Sequence, residues 1–192
     1  QYDMIKEKEL SHGAFEELKK YCDMKEIMFL STPHTEDAVD FLEPLVPAYK
    51  VGSGDLTNLP FLETIAQKHK PIILSTGMGT LGEVEEAVQT ITTEGNHDLI
   101  LLHCISDYPA PIENINLRAM TTLRKAFNTI VGFSDHTLGL TASIAAVSLG
   151  ASVIEKHFTL NHNLSGPDHK ASLEPDELKE MVKRIRHVEK AF

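Results

Sequence analysis

The chain has 192 residues, 42% of them hydrophobic and 24% charged, which is typical of one globular domain with a sizeable core. Its formal net charge is −10 and it contains no basic run, which argues against nucleic acid and anionic membrane surfaces as partners. The two cysteines form no disulfide framework, and no apolar run is long enough to span a membrane. We therefore expect a reduced, cytoplasmic setting.

Six short apolar segments are predicted to be β-strands, and a helical pattern follows each of them. The strands are predicted at residues 27–30, 48–51, 71–74, 99–104, 129–131 and 152–154. The helices are predicted at residues 11–22, 36–43, 60–69, 81–94, 116–127, 138–149 and from 175 almost to 192. Because the strands are apolar without polar alternation, they favour a parallel sheet that is buried on both faces.

The strands recur roughly every 25 residues, a unit length that suits an eight-fold, TIM-type (β/α) barrel. We predict an α/β fold in which residues 1–192 form one partial barrel, with six of eight β/α units present and the first two missing. An open doubly wound sheet is the alternative. No G-x-G-x-x-G motif follows an early strand, which weakens a dinucleotide-binding function.

Polar clusters follow the strands and precede the helices, which in a β/α barrel places them where the chemistry occurs. Two clusters stand out: Gly-Phe-Ser-Asp-His-Thr, which starts at Gly132, and Glu-Lys-His-Phe-Thr, which starts at Glu155. Side chains alternate faces along a strand, so Ser134 shares a face with His136, and Glu155 shares one with His157. If the two strands are parallel neighbours, two imidazoles and a carboxylate meet and could hold a metal or perform acid–base chemistry.

Other polar residues are expected at the same end of the sheet. Lys50 lies within a strand, where it could snorkel at an edge, bind an anion or form a Schiff base. Glu155 could be a base or could pair with Lys50 or Lys156. Cys104 ends an apolar strand and fits a core thiol better than a nucleophile. A set of hydroxyls could join backbone N–H groups in a phosphate cradle: Ser53, Ser75, Thr76, Ser106 and Ser134.

Six motifs in order resemble the sialic acid synthase family, which comprises N-acetylneuraminate synthase and its legionaminate and pseudaminate relatives. They are Lys50-Val51-Gly52-Ser53-Gly54-Asp55, Leu74-Ser75-Thr76-Gly77-Met78, Leu102-His103-Cys104 with Tyr108-Pro109, Gly132-Phe133-Ser134-Asp135-His136-Thr137, Glu155-Lys156-His157-Phe158 and Gly166-Pro167-Asp168-His169. The resemblance implies a β/α barrel that condenses phosphoenolpyruvate with an N-acetylmannosamine-type sugar. The products would be a nine-carbon 2-keto sugar acid and phosphate.

The same resemblance implies roles for individual residues. His136 and His157 would hold a divalent metal, Mn²⁺ or Mg²⁺, and Glu155 and Lys50 would act in catalysis. The residues that would bind phosphoenolpyruvate are Thr32, Lys50, Ser53, Ser75 and Ser134. The residues that would contact the sugar are Asp55, Tyr108 and Asp168. Family members also carry a C-terminal antifreeze-like domain, which this sequence does not show, and the full-length form is expected to be a homodimer.

Two other functions are compatible with the residues. One is a Schiff-base aldolase that uses Lys50, which would be independent of metal and would be trapped by borohydride with a carbonyl substrate. The other is a non-catalytic barrel fragment that serves as a binding or assembly module. Binding of phosphoenolpyruvate and manganese separates both from a synthase.

Overall fold

The structure is a computed structural model that describes Lys6 and residues 9–192; residues 1–5, 7 and 8 of the predicted domain lie outside the described residues. Seven α-helices lie within residues 9–192: α1 His12–Met24, α2 Glu36–Leu42, α3 Leu59–Ala66, α4 Leu81–Thr93, α5 Ala119–Phe127, α6 Thr141–Ser148 and α7 Pro175–Glu189. The strands are β1 Tyr49–Val51, β2 Ile72–Ser75, β3 Leu99–Cys104, β4 Ile130–Asp135 and β5 Ile154–Lys156.

The five strands form one parallel sheet in the order β1-β2-β3-β4-β5. Each strand therefore pairs with the next one along the chain, and the order never reverses. A doubly wound sheet reverses its strand order at a switch point, so that alternative is disfavoured. Sequential parallel strands connected through helices give an α/β half-barrel, in agreement with the predicted fold class.

The prediction of a strand at residues 27–30, the first of the six in chain order, is wrong: this segment is not a strand in the structure. The Ile27 N–H still bonds back to Cys22 O near the end of α1, at 3.0 Å. Ile27 and Met28 are 62% and 68% exposed. The segment has the apolar composition of a strand but joins no ladder in the described part of the chain. The described residues thus contain five strands, and a count of six of eight units is not confirmed.

Local side-chain chemistry accounts for the helix boundaries. Thr80 and Glu83 form a reciprocal capping box that starts α4. Helix α3 ends at Ala66, earlier than predicted, because His69 has a positive φ of 52° that no helix accommodates. Helix α6 begins at Thr141, later than predicted, because Gly139 has a φ of 72°. The helices therefore match the predicted ones to within a few residues.

The core lies between the sheet and the helices packed on its outer face. Strand β3 is buried at five of its six positions, as expected for a central parallel strand. Leu62 and Ile65 of α3 and Ile91 of α4 are fully buried against this sheet layer. Among the described residues, no helix combines the length and the apolar character needed to cross a membrane. This packing fixes the carboxyl ends of the strands, from which the polar clusters project.

Candidate active site

The predicted cluster forms where β4 and β5 end. Ser134 and Glu155 are direct register partners, and the Ser134 hydroxyl donates to Glu155 Oε1 at 2.7 Å. The imidazole rings of His136 and His157 lie 5.4 Å apart between centroids and are inclined by 77°. The expectation that two imidazoles and a carboxylate meet at one end of the sheet is confirmed. We call this end of the sheet, with the loops that follow the strands, the rim.

His136 is buried, and its protonation is set by its surroundings. Its Nδ1 lies 2.6 Å from Ile105 O, and because a carbonyl only accepts, Nδ1 carries the proton. Burial lowers the pKa of His136, which favours the neutral ring. Ser134 Oγ lies 3.3 Å from Nε2, but its single proton is directed to Glu155 at the shorter distance. The Nε2 lone pair therefore remains available at the rim.

Lys50 is held as a fixed cation. Its Nζ donates to Val51 O at 3.0 Å and to Ser75 Oγ at 2.9 Å, and it lies 3.4 Å from Glu155 Oε2. An ammonium has three donors, and here three acceptors surround it. The structure therefore pairs Glu155 with Lys50 rather than with Lys156. This environment suits a cation better than the free amine that a Schiff base requires.

The predicted phosphoenolpyruvate-binding residues fall into two neighbouring groups. Thr32, Lys50 and Glu155 line one cavity of about 310 Å³ on the inner side of the sheet. Ser75 and Ser134 adjoin it through their hydrogen bonds to Lys50 and Glu155. An anion in this cavity would meet the Lys50 ammonium and several hydroxyl groups.

Ser53 lies in a separate contact group beside β3. Its Oγ accepts from the Gly77 N–H at 2.9 Å and lies 3.1 Å from Cys104 Sγ. A Cβ at position 77 would lie 2.6 Å from Ser106 Oγ and 2.8 Å from both Cys104 Sγ and Ser53 Oγ, so a larger residue would displace these side chains. Cys104 is buried against Ser53, consistent with the predicted core thiol. Gly77 thus allows the backbone to approach the hydroxyl groups of the rim closely.

Two of the three predicted sugar contacts join the imidazoles. The Tyr108 ring lies 4.2 Å from His136 and 5.5 Å from His157 between centroids. Burial and nearby acidic groups raise the pKa of the Tyr108 phenol, which keeps it a proton donor. Asp168 Oδ2 lies 3.9 Å from His157 Nδ1. Asp55 instead contacts the exposed His34, with 3.4 Å between Oδ2 and Nδ1.

The donor set fits an open metal site with few protein ligands. Within Lys6 and residues 9–192, no group of three or more His, Cys, Asp or Glu side chains is arranged to hold a metal. The available Nε2 of His136 and the adjacent His157 ring supply two nitrogen donors, and water or substrate would complete the coordination. The Nδ1 bond of His136 to a carbonyl is the usual outer contact of a metal-binding histidine. Metal binding by this pair stays a prediction.

Sequence reasoning missed a buried ion pair behind the rim. Lys156 Nζ lies 3.2 Å from Asp135 Oδ2, and both side chains are at most 2% exposed. Burial lowers the pKa of Lys156, and the Asp135 carboxylate opposes that change. The signal was present in the sequence: each charge stands between two inward-facing residues, so alternation directs it to the buried outer face.

A parallel β/α half-barrel with polar side chains gathered at the carboxyl ends of its strands has the layout of β/α-barrel enzymes. The chain belongs to the NeuB family, whose sequence profile matches residues 1–192. It is 50% identical to an N,N'-diacetyllegionaminic acid synthase of Campylobacter jejuni over all of this chain and 58% of that protein.

Solved structures show the same similarity. The crystal structure of a spore coat polysaccharide biosynthesis protein of Bacillus subtilis is 43% identical, with a TM-score of 0.91 over 94% of this chain and 51% of that one. An N-acetylneuraminic acid synthetase of Leptospira borgpetersenii, solved with citrate, is 34% identical, with a TM-score of 0.92 over 95% of this chain and 64% of that one. The chain thus spans little more than half the length of the relatives it matches.

Proposed function

We propose that this chain carries the catalytic rim of a phosphoenolpyruvate-dependent sugar-acid synthase. The reaction would condense phosphoenolpyruvate with an N-acetylmannosamine-type sugar to give a nine-carbon 2-keto sugar acid and phosphate. The observation that carries the proposal is the convergence of a fixed ammonium, a carboxylate and two imidazoles at one end of the sheet. The similarity to a legionaminic acid synthase supports it.

Lys50 is the centre of the proposed phosphoenolpyruvate site. The substrate is an anion and the chain carries a net charge of −10, so binding needs a local cation that is placed before the ligand arrives. The ammonium of Lys50 lies in the cavity that Thr32 also lines, with Ser75 in direct contact. Ser53, from the turn that follows β1, and Ser134, from β4, would add hydroxyl groups to the site.

The two histidines and the nearby loop residues would form the sugar side of the site. His136 and His157 would hold Mn²⁺ or Mg²⁺, which when bound would act as a Lewis acid on the sugar aldehyde. Tyr108 would donate its phenolic proton to a sugar oxygen, and Asp168 would accept from a sugar hydroxyl. Asp55, which lies beside His34 in the turn that follows β1, would also contact the sugar.

Carbon–carbon bond formation would begin with attack of the enol carbon of phosphoenolpyruvate on the aldehyde carbon. The aldehyde oxygen gains a proton, and positive charge develops on the carbon that carries the phosphate. Glu155 would accept a proton from the water that adds to this carbon, because its carboxylate lies between Ser134 and Lys50. Phosphate then leaves with cleavage of its bond to carbon, which yields the 2-keto acid.

A Lys50→Met variant tests the proposed anion site. Loss of a charge-assisted contact of about 1.5–3 kcal/mol should weaken phosphoenolpyruvate binding by roughly 10- to 100-fold in calorimetry. Lys125→Met is the matched control, because Lys125 is exposed on α5 and should leave the affinity unchanged. Equal affinity in the Lys50→Met variant and the parent chain would contradict the assignment.

Turnover separates the synthase from the other two functions. With Mn²⁺, an N-acetylmannosamine-type sugar and phosphoenolpyruvate labelled with ¹⁸O in the bridging oxygen, the label should leave in inorganic phosphate. Borohydride trapping of Lys50 without added metal would favour the Schiff-base aldolase instead. Failure to bind either phosphoenolpyruvate or Mn²⁺ would favour a binding or assembly module. For the full-length protein we also expect a homodimer, measurable by light scattering, and a cytoplasmic setting.

A further inference from the structure

The buried pair of Asp135 and Lys156 lies directly behind the candidate site. The two residues are register partners at the ends of β4 and β5. Side chains alternate along both strands, so the pair points to the outer face while its neighbours in sequence point to the rim. The neighbours of Asp135 are Ser134 on β4 and His136 directly after it, and the residue directly after Lys156 at the end of β5 is His157. The side chains of the pair and the two imidazoles therefore lie on opposite faces of the same backbone segments.

The contacts of this pair converge on Thr137. Asp135 Oδ1 accepts from the Thr137 N–H at 2.8 Å and from its hydroxyl at 2.7 Å. Lys156 Nζ donates to Thr137 O at 2.5 Å and lies 3.2 Å from Asp135 Oδ2. Ser143 on α6 donates to the same Oδ2 at 2.6 Å. Each carboxylate oxygen therefore has a donor, as a buried charge requires.

These contacts constrain the backbone on both sides of one histidine and just before the other. His136 lies between Asp135 and Thr137, which are tied to each other. His157 follows Lys156, which is tied to both. Neither imidazole can shift along its strand without breaking a buried contact. The 5.4 Å separation of the two rings is therefore coupled to the geometry of the pair.

We propose that Asp135 and Lys156 are positioning residues that set the separation of His136 and His157 for a shared divalent cation. The identity of the bound cation rests on the proposed function. The control of the ring separation by Asp135 and Lys156 does not depend on that function. A buried ion pair contributes little net stability compared with apolar residues of similar volume, but its directional contacts specify one arrangement. Its role here is to fix two ligands that directly follow different strands.

The double variant Asp135→Asn/Lys156→Met tests the proposal. It removes both charges together, so no unpaired charge is left buried, and it nearly preserves side-chain volume. Asp23→Asn/Lys19→Met is the matched control, because it makes the same two substitutions in a surface pair on α1. Circular dichroism and thermal unfolding establish that both variants fold.

Two measurements decide the outcome. A crystal structure of the double variant should show the imidazole centroids displaced by about 1 Å or more from their separation in the parent chain. Mn²⁺ affinity should fall by at least about tenfold, while phosphoenolpyruvate affinity, which depends on Lys50, changes little. The control variant should match the parent chain in both. An unchanged ring separation, or a parallel fall of both affinities, would overturn the positioning role.

A milder variant keeps the proposal testable if the double variant does not fold. Thr137→Val removes the hydroxyl contact to Asp135 and retains the shape of the side chain. It should produce a smaller displacement of His136 and a smaller loss of Mn²⁺ affinity. If the parent chain binds no Mn²⁺, the metal part of the proposed function fails. The ring separation in the variant structures still decides whether the pair positions the histidines.

Discussion

His103 shows how a buried histidine can have a structural role next to a candidate site. Its Nε2 lies 2.7 Å from Ile115 O and donates to it, which ties β3 to the loop before α5. The ring stacks against Phe133 at 5.8 Å, on the face of the sheet away from the imidazole pair. Burial lowers the pKa of His103 below its ordinary value of 6.5. A neutral, hydrogen-bonded His103 therefore belongs to the core.

The lowered pKa of His103 predicts acid sensitivity. Above pH 6.5 the ring is neutral in the folded and unfolded chains, so it adds no pH dependence. Below that pH the unfolded chain binds a proton first, so the free energy of unfolding falls, by at most about 1.4 kcal/mol per pH unit. His103→Gln keeps a donor to Ile115 O and cannot titrate. Its loss of stability between pH 6.5 and about pH 5 should be shallower in urea unfolding.

The control for this experiment is His97→Gln, at an exposed histidine just before β3. This variant should show the same pH dependence as the parent chain. If His103→Gln and the parent chain lose stability with the same slope, burial of this histidine does not limit stability in acid.

Strand periodicity alone predicted which residues meet at the rim. A period of two places Ser134 on one face with His136 and Glu155 on one face with His157, and these faces meet once the two strands are parallel neighbours. The same period could have excluded Lys156 as the partner of Glu155, since adjacent residues face opposite sides of a strand. Contacts made through loops, such as Asp55 with His34, were beyond prediction because they depend on tertiary packing rather than on a local repeat.

At the scale of elements, prediction worked where the signal is local and failed where it is not. The helical patterns placed the helices to within a few residues, because each pattern involves residues a few positions apart. The pattern at residues 27–30 predicted a strand, but a strand exists only if another strand pairs with it. No short-range pattern carries that information, so an unpaired apolar segment cannot be distinguished from a strand by composition.

The absence of a side chain at Gly132 allows β4 to pack closely against the segment before β5. A Cβ at this position would lie 2.4 Å from Val153 O and 2.6 Å from Leu102 Cδ2. Because one of these atoms is backbone, the strands would have to separate. Gly132→Ala should therefore lower the free energy of unfolding by about 1–3 kcal/mol in urea titrations, as overpacked cores do.

Gly82 in α4 provides the control for this substitution. It is exposed, and a Cβ there would have only a distant contact with Thr80 at 4.0 Å. Gly82→Ala should leave stability unchanged or raise it by up to about 1 kcal/mol through helix propensity. Equal effects of the two substitutions would show that β4 and its neighbour can separate without cost.

At the scale of the whole molecule, the described sheet has two outer strands, β1 and β5, each paired on one side only. Large apolar side chains are exposed in the segment between α1 and α2 and in the segment that follows β5. Met28 precedes β1 and is 68% exposed, and Leu160 follows β5 and is 75% exposed. Unpaired sheet edges and exposed apolar residues are both usual sites of association between chains.

We therefore predict that the 192-residue chain associates with itself through these segments. The variant Met28→Lys/Leu160→Lys should weaken the association at least about tenfold, or 1.4 kcal/mol, in sedimentation equilibrium. Val182→Lys is the control, because it adds a charge at an exposed apolar position on α7. If the control weakens association as much as the double variant, net charge rather than the sheet edges governs it.

The alternation of inner and outer residues at the ends of β4 and β5 has an evolutionary consequence. Inserting or deleting one amino acid within either segment would turn the histidine outward and bring a buried charge into its place. Homologous genes should therefore tolerate changes of length in the connecting loops but not in these two stretches. Insertion or deletion of one codon there would disrupt both the imidazole pair and the buried ion pair behind it in a single event.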